Sequence, residues 1–266
     1  WPLPAMALLA RTLVLLAMTV AIVAIKVVPL DMAWDSFDDQ YRGCGQDMAK
    51  ELQSLYDFEY RNNPQFAWGW DRADAEWRKR GSAVYPLESH QQAVALMTYT
   101  SQDVYKDFNA AVRVAGRSRQ EYRNNFHFKT LHFLLTQALV TLWDAQNRQC
   151  RHVYRGVHDI RYQAQPGQRV RFGQFTSTSP HKNIARQFGT DTIFQVYTCY
   201  GVNIRQFSMY PGEEEVLIPP FETFNVVQVN RDRMRTWIRL QSTGTYSKHN
   251  CAWLGGDATG GSLGDG

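Results

Sequence analysis

FKTLHFLLTQALVTLWDAQNRQCRHVYRGV, residues 128–157, holds the switch on which the fold reading turns. Phe128, Leu131, Leu135, Ala138, Leu139 and Leu142 recur every three to four residues, the spacing of one apolar helix face. After Cys150 the period falls to two, and short strand-like runs follow, broken by Gly, Pro and Asn. They are His152 to Val157, Gln168 to Ser179, Thr192 to Tyr200, Val216 to Ile218, Phe224 to Val229 and Thr236 to Gln241. Upstream, residues 46–146 keep the helical period, with Met48, Leu52, Leu55 and Tyr56 on one face. Helices first and strands afterwards, without alternation, predict an α+β chain rather than a doubly wound sheet. Within the helical half, Pro64 to Trp70 reads as a packed loop and Arg78-Lys79-Arg80 as a solvated helix end.

Composition narrows the function. Of 266 residues 44% are hydrophobic and 20% charged, which excludes a disordered or collagen-like chain. Lys and Arg number 29 against 25 Asp and Glu, and the resulting +4 is scattered, so no basic face points to nucleic acid. Met6 reads as an initiator, Arg11 as a positive flank, and Leu13 to Ile25 as an uncharged run, shorter than the roughly 20 residues of a membrane span. A secretory signal peptide over residues 1–24 is the expectation, with an uncleaved anchor as the alternative. A single domain would then fill residues 25–251.

Cys44, Cys150, Cys199 and Cys251 lie far apart, with no CxxC pair, so two disulfides in an oxidising lumen are expected and a metal site is not. Three pairings exist. Cys44 opens the folded region and Cys251 closes it, which favours Cys44–Cys251 with Cys150–Cys199 nested inside. There is no N-x-[ST] sequon. Residues 252–266 include six Gly and no apolar run, from which a GPI anchor is not expected.

Three motifs in the strand half carry chemistry. Arg155, within Val153-Tyr154-Arg155-Gly156-Val157, is a charged group in an apolar strand on the face of Val153. Such an Arg pairs with a buried carboxylate or awaits an anion, and its planar fork suits a pyrophosphate. Phe175-Thr176-Ser177-Thr178-Ser179 is a hydroxyl-rich strand end with Ser177 and Ser179 on the Phe175 face, a pattern that a solvated strand edge also produces. Tyr210-Pro211-Gly212 turns the chain into Glu213-Glu214-Glu215 and then the apolar Val216-Leu217-Ile218. On an extended chain Glu213 and Glu215 would share a face roughly 7 Å apart, as in the carboxylate pairs that cleave glycosidic bonds. An acidic cap on a hairpin is the plainer account of the triplet.

In this order, in a chain with four spaced cysteines, the motifs resemble the vertebrate ecto-ADP-ribosyltransferases, called R-S-E after Arg, Ser and Glu. The resemblance covers nearly everything from Cys44 to Cys251. Glu213 places it with the arginine-specific Glu-x-Glu branch rather than the Gln-x-Glu relatives. It implies a helical N-terminal half packed on a mainly antiparallel two-sheet β core, the nested disulfides, and transfer of ADP-ribose from NAD, with NADP as an alternative donor. The acceptors would be arginine side chains of proteins or small guanidino compounds, with no permanent cofactor and no metal. By the same resemblance Arg155 would hold the pyrophosphate, Gly156 would let its backbone approach the nicotinamide amide, and Phe188 would cover the nicotinamide unless it is a plain core residue. Ser177 would orient Glu215, Glu215 would serve the ribose as nicotinamide leaves, Glu213 would hold the acceptor guanidinium, and Tyr210 would flank it. An NAD glycohydrolase and a silent extracellular binding module on the same fold are the alternatives.

Overall fold

The computed structural model describes residues 25–255. The expected signal peptide, and the tail beyond residue 255, lie outside the described residues. The helical half comprises α1 (Gly45–Asn62), α2 (Pro64–Lys79), α3 (His90–Thr100), α4 (Tyr105–Ala115), α5 (Arg119–Asn125) and α6 (Lys129–Ala145). The α1 stripe runs Met48, Leu52, Leu55 into the core and ends on buried Glu59. That carboxylate accepts from the backbone N–H groups of Lys129 (2.6 Å) and Thr130 (2.9 Å). It thereby satisfies the free donors at the start of α6, where a negative charge also suits the helix dipole. Helix α6 is buried on most sides, and Leu131, Leu135 and Ala138 are fully enclosed.

Residues 64–70 are helical, which corrects the loop expectation. Pro64 occupies the first turn of α2 and Asn63 accepts from Phe66 N at 3.1 Å. A proline there gives up only an N–H that the helix cannot use. The end of α2 is solvated at Arg78 and Lys79, but Arg80 reaches across to the carbonyls of Ser208 (2.7 Å) and Met209 (3.2 Å).

The strands are β1 (Lys26–Pro29), β2 (Arg151–Val157), β3 (Ile160–Gln163), β4 (Arg169–Arg171), β5 (Thr176–Thr178), β6 (Thr192–Thr198), β7 (Val202–Asn203), β8 (Val216–Ile218), β9 (Glu222–Arg231) and β10 (Thr236–Thr245), with the short helix α7 (Lys182–Gln187) between β5 and β6. They form a five-stranded sheet β2-β6-β10-β9-β4, a three-stranded sheet β5-β8-β7 and a small β1-β3 pair. Pairing is antiparallel except for β6 with β10 and β1 with β3. The expected α+β architecture stands. Strands β1, β3 and β7 and helix α7 lie outside the expected runs, and the single run expected over Gln168 to Ser179 divides into β4 and β5, which belong to different sheets.

Strand β8 divides the core. Val216 and Ile218 join Val153, Phe194, Val196 and Leu240 between the two large sheets, whereas Leu217 faces the helices with Phe175 and Phe207. Side chains alternate along a strand, and antiparallel partners share a face. Ser177, opposite Leu217, therefore looks toward the helices.

Arg171 on β4 is the largest fully buried side chain. It pairs with equally buried Asp38 and donates to the carbonyls of Met32, Ala33 and Tyr246. Asp38 also accepts from the backbone N–H groups of Lys248 and His249, so one ion pair ties the segment before α1 to the segment after β10. The disulfides are Cys44–Cys251 and Cys150–Cys199, the nested pairing. The outer bridge spans 207 residues of sequence. By loop-closure entropy such a bridge stabilises by roughly 5 kcal/mol. Thiol titration of native protein is expected to find no free cysteine and reduction to lower the melting temperature; two or more titratable thiols would break the pairing.

Candidate active site

The two large sheets, packed together through their shared core, are also joined by backbone hydrogen bonds. Tyr154 on the edge strand β2 exchanges both backbone hydrogen bonds with Ser179, just past β5 (2.8 and 2.9 Å). Around this junction the expected residues gather. Arg155 donates from Nη1 to the carbonyl of Ser177 at 2.8 Å, so it crosses from one sheet to the other instead of pairing with a buried acid. Its remaining guanidinium donors are not hydrogen-bonded within the described residues.

Glu215 lies against Ser177, only 5% exposed, and its Oε1 has no hydrogen-bond partner among the described residues. Burial pushes its pKa up to about 7 from an ordinary 4.5. The Ser177 hydroxyl and the Arg155 charge pull it down, while neighbouring Glu213 pushes it up. A desolvated carboxylate with an unpartnered oxygen is a group awaiting a ligand or a positive charge. Among the described residues no group of three or more His, Cys, Asp or Glu side chains is placed to hold a metal ion.

The Glu triplet is not an extended strand, a correction to the spacing argument. Pro211–Glu213 form a 3-10 turn, and Glu214 sits in left-handed backbone at φ 48° before β8 begins at Val216. The Pro-Gly turn thus runs one residue further than expected. The charge of Glu213 nonetheless reaches Glu215 and raises its pKa. Glu214 points elsewhere, to His181 Nε2 at 3.2 Å and Arg205 Nη1 at 3.7 Å. Glu213 is half-buried, which raises its pKa as well, and Ser179 Oγ donates to its carbonyl at 3.0 Å. Tyr210, half-buried, enters the turn from a segment pinned by Arg80 and by Thr100 Oγ1, which accepts from Met209 N at 2.9 Å.

Gly156 has a packing reason to be glycine. A Cβ there would sit 2.2 Å from Gly189 O and 2.3 Å from Ala185 O, so a side chain would drive α7 and its following turn off β2. Its backbone groups are oriented separately. Val157 O accepts from Asp191 N on the β6 side, and Tyr154 bonds to Ser179 on the other. Alternation along the strand turns the N–H and C=O of Gly156 to the same open edge as those of Tyr154. Phe188, at the end of α7, is 52% exposed, which removes its reading as a core residue.

Behind this face stands a layer the sequence did not reveal. Tyr99 on α3, 1% exposed, lies 2.9 Å by its hydroxyl from Phe175 O and 3.3 Å from Ser177 Oγ. Asn109 on α4 donates from Nδ2 to both Phe175 O (3.0 Å) and the Tyr99 oxygen (3.3 Å). Tyr99 is indistinguishable in sequence from any aromatic in an apolar helix; the amide of Asn109 on an apolar stripe was the one available signal.

A family description, NAD:arginine ADP-ribosyltransferase, matches residues 30–248. The chain belongs to that family. It is 52% identical over 230 residues to NAD(P)(+)--arginine ADP-ribosyltransferase 2 of Gallus gallus, covering 85% of this chain and 73% of that one. It is 43% identical over 245 residues to the GPI-linked NAD(P)(+)--arginine ADP-ribosyltransferase 1 of Homo sapiens, covering 85% and 75%. Among solved structures, the eucaryotic mono-ADP-ribosyltransferase ART2.2 superposes with a TM-score of 0.73 at 34% identity, over 84% of this chain and 98% of that one. A variant of the same enzyme has been solved in complex with NAD. The family's chemistry makes the protein an NAD-consuming transferase that acts on arginine. Two disulfides accord with an extracellular setting; the human relative being GPI-linked, the expectation of no such anchor finds no support.

Proposed function

We propose that this arginine ADP-ribosyltransferase works through the residues gathered at the sheet junction, and the observation that carries the assignment is buried Glu215 beside Ser177, Arg155 and Glu213. The free donors of Arg155 hold the NAD pyrophosphate. The backbone edge of Gly156 meets the nicotinamide carboxamide, whose N–H and C=O complement those of a strand edge, and exposed Phe188 closes over the ring. NADP is accepted where room remains for its additional phosphate.

Glu215 binds the nicotinamide-ribose 2′-hydroxyl. As the C1′–N bond breaks, its electron pair leaves with nicotinamide and the ribose takes up positive charge, which the Glu215 carboxylate stabilises. A guanidino nitrogen of the acceptor, held by Glu213 and flanked by Tyr210, then attacks C1′ and passes its proton to Glu213. Burial raises the basicity of Glu213, which suits a group that must accept that proton. The acceptors are arginine-bearing proteins or small guanidines. Incubation with labelled NAD and agmatine tests the reading: ADP-ribosyl-agmatine is the expected product, whereas free ADP-ribose alone would establish a glycohydrolase and no turnover a binding module.

Because the stabilising form of Glu215 is ionised, kcat/KM for NAD should fall as pH drops, with its acid limb centred near 7. A limb centred near 4.5, measured by initial rates between pH 4 and 8.5, would show that Glu215 is not the titrating group. Arg155→Lys keeps the charge but loses the planar fork and the reach to Ser177 O, so KM for NAD is expected to rise about tenfold or more. Unchanged KM and kcat would assign Arg155 to holding the sheets together.

A further inference from the structure

We propose that Tyr99 and Asn109 are positioning residues, a relay that turns the Ser177 hydroxyl onto Glu215 so that the helical half sets the state of the acid in the sheets. The proposal rests on the active-site reading above. Asn109 has two N–H groups to give, Tyr99 one O–H and Ser177 one O–H. Phe175 O is within reach of Asn109 Nδ2 and Tyr99 OH, and the Tyr99 oxygen is within reach of Asn109 Nδ2 and Ser177 Oγ.

One arrangement leaves the Ser177 proton for Glu215. Asn109 donates to Phe175 O and to Tyr99, Tyr99 donates to Ser177 Oγ, and Ser177 donates to the carboxylate. In the competing arrangement Tyr99 donates to Phe175 O, Ser177 donates back to Tyr99, and Glu215 receives nothing. An ionised acceptor makes the stronger hydrogen bond, so the first arrangement accompanies the charged form of Glu215. Asn109 favours it by keeping Phe175 O hydrogen-bonded when the Tyr99 proton turns to Ser177, and by donating to the Tyr99 oxygen that Ser177 would otherwise donate to. Asn109 Oδ1 has no partner among the described residues, so the amide engages this cluster as a donor only.

The charged groups around Glu215 are Arg155 from β2 and Glu213 from its own turn; Glu214 is engaged by His181 and Arg205. Tyr99, the contribution of α3, stays neutral, its pKa pushed up to about 12 mainly by burial. Position 99 therefore acts on Glu215 through hydrogen bonding and not through charge.

The test is the pH profile of kcat/KM for NAD hydrolysis in Tyr99→Phe, which keeps the buried ring. The acid limb is expected to move up by about one pH unit, giving about an eightfold deficit at pH 6.5 that closes to within about twofold at pH 8.5. Asn109→Leu, with the same branching at Cγ, leaves Phe175 O with the Tyr99 proton as its remaining side-chain donor and should shift the limb in the same direction by less; it carries the test should Tyr99→Phe not fold. In a Ser177→Ala background neither substitution should move the limb further. A pH-independent loss, or a shift that persists without Ser177, would overturn the relay and leave Tyr99 a packing residue. Full hydrolysis by Ser177→Ala and Glu215→Gln would instead refute the active-site reading itself.

Discussion

Glu215→Gln is expected to reduce transfer to agmatine and hydrolysis of NAD together, each by at least about two orders of magnitude, as loss of a strong electrostatic contact in a water-poor site does. The amide preserves shape and can still meet a ribose hydroxyl, so the KM for NAD should change far less than kcat. What disappears is the negative charge opposite a ribose turning cationic. Glu215 is buried and carries an unpartnered oxygen, so its charge is poorly screened by water and its removal is felt in full. Removing a buried, partly protonated acid should not harm folding, and the melting temperature should hold or rise. Retention of more than a tenth of wild-type hydrolysis in folded protein would exclude Glu215 from the reacting centre.

Glu213→Gln should separate the two reactions. Glu213 is half-buried at the end of the 3-10 turn, and its charge raises the pKa of Glu215. The substitution removes the anion that holds the guanidinium and the base that takes its proton, so transfer to agmatine is expected to fall about a hundredfold or more. Nicotinamide release to water should largely persist. Relief of the like charge lowers the Glu215 pKa, so the acid limb of hydrolysis should also move down in pH. Both products must be measured on the same preparation. Equal loss of transfer and hydrolysis would show that Glu213 builds the NAD site, and the acceptor assignment would fall.

Period alone carried the α+β architecture: three-to-four spacing to Leu142 and twofold spacing after Cys150 map onto α6 and β2. Strands β1, β3 and β7 and helix α7 were not legible, and length does not separate them from β4, β5 and β8, which are shorter than β1 and β3. Pro64 misled because a proline that breaks a helix interior also opens a helix, and only the Asn63 cap distinguishes the two. Arg155, Glu213 and Glu215 were legible because each is a polar group interrupting or entering an apolar strand, Ser177 because it sits in a run of hydroxyls, and family resemblance gave them roles. The geometry of the Glu pair was not legible, since it depends on left-handed backbone at Glu214 that the spacing could not convey.

Local residue pattern set the order of helices and strands and the chemical groups the strand half supplies. It also fixed which faces of those strands could be buried, because alternation is a local property of an extended chain. Tertiary structure alone decided that Arg155 bridges two sheets instead of pairing with an acid, that Gly156 is required by α7, and that Arg80 anchors the turn before Glu213. It alone placed Tyr99 and Asn109 behind Ser177, 78 and 66 residues of chain from their sheet contacts. The reason is physical: a pKa moved by burial and a hydrogen bond closed between halves of the molecule depend on distances that exist only once the helices have packed against β5 and β8.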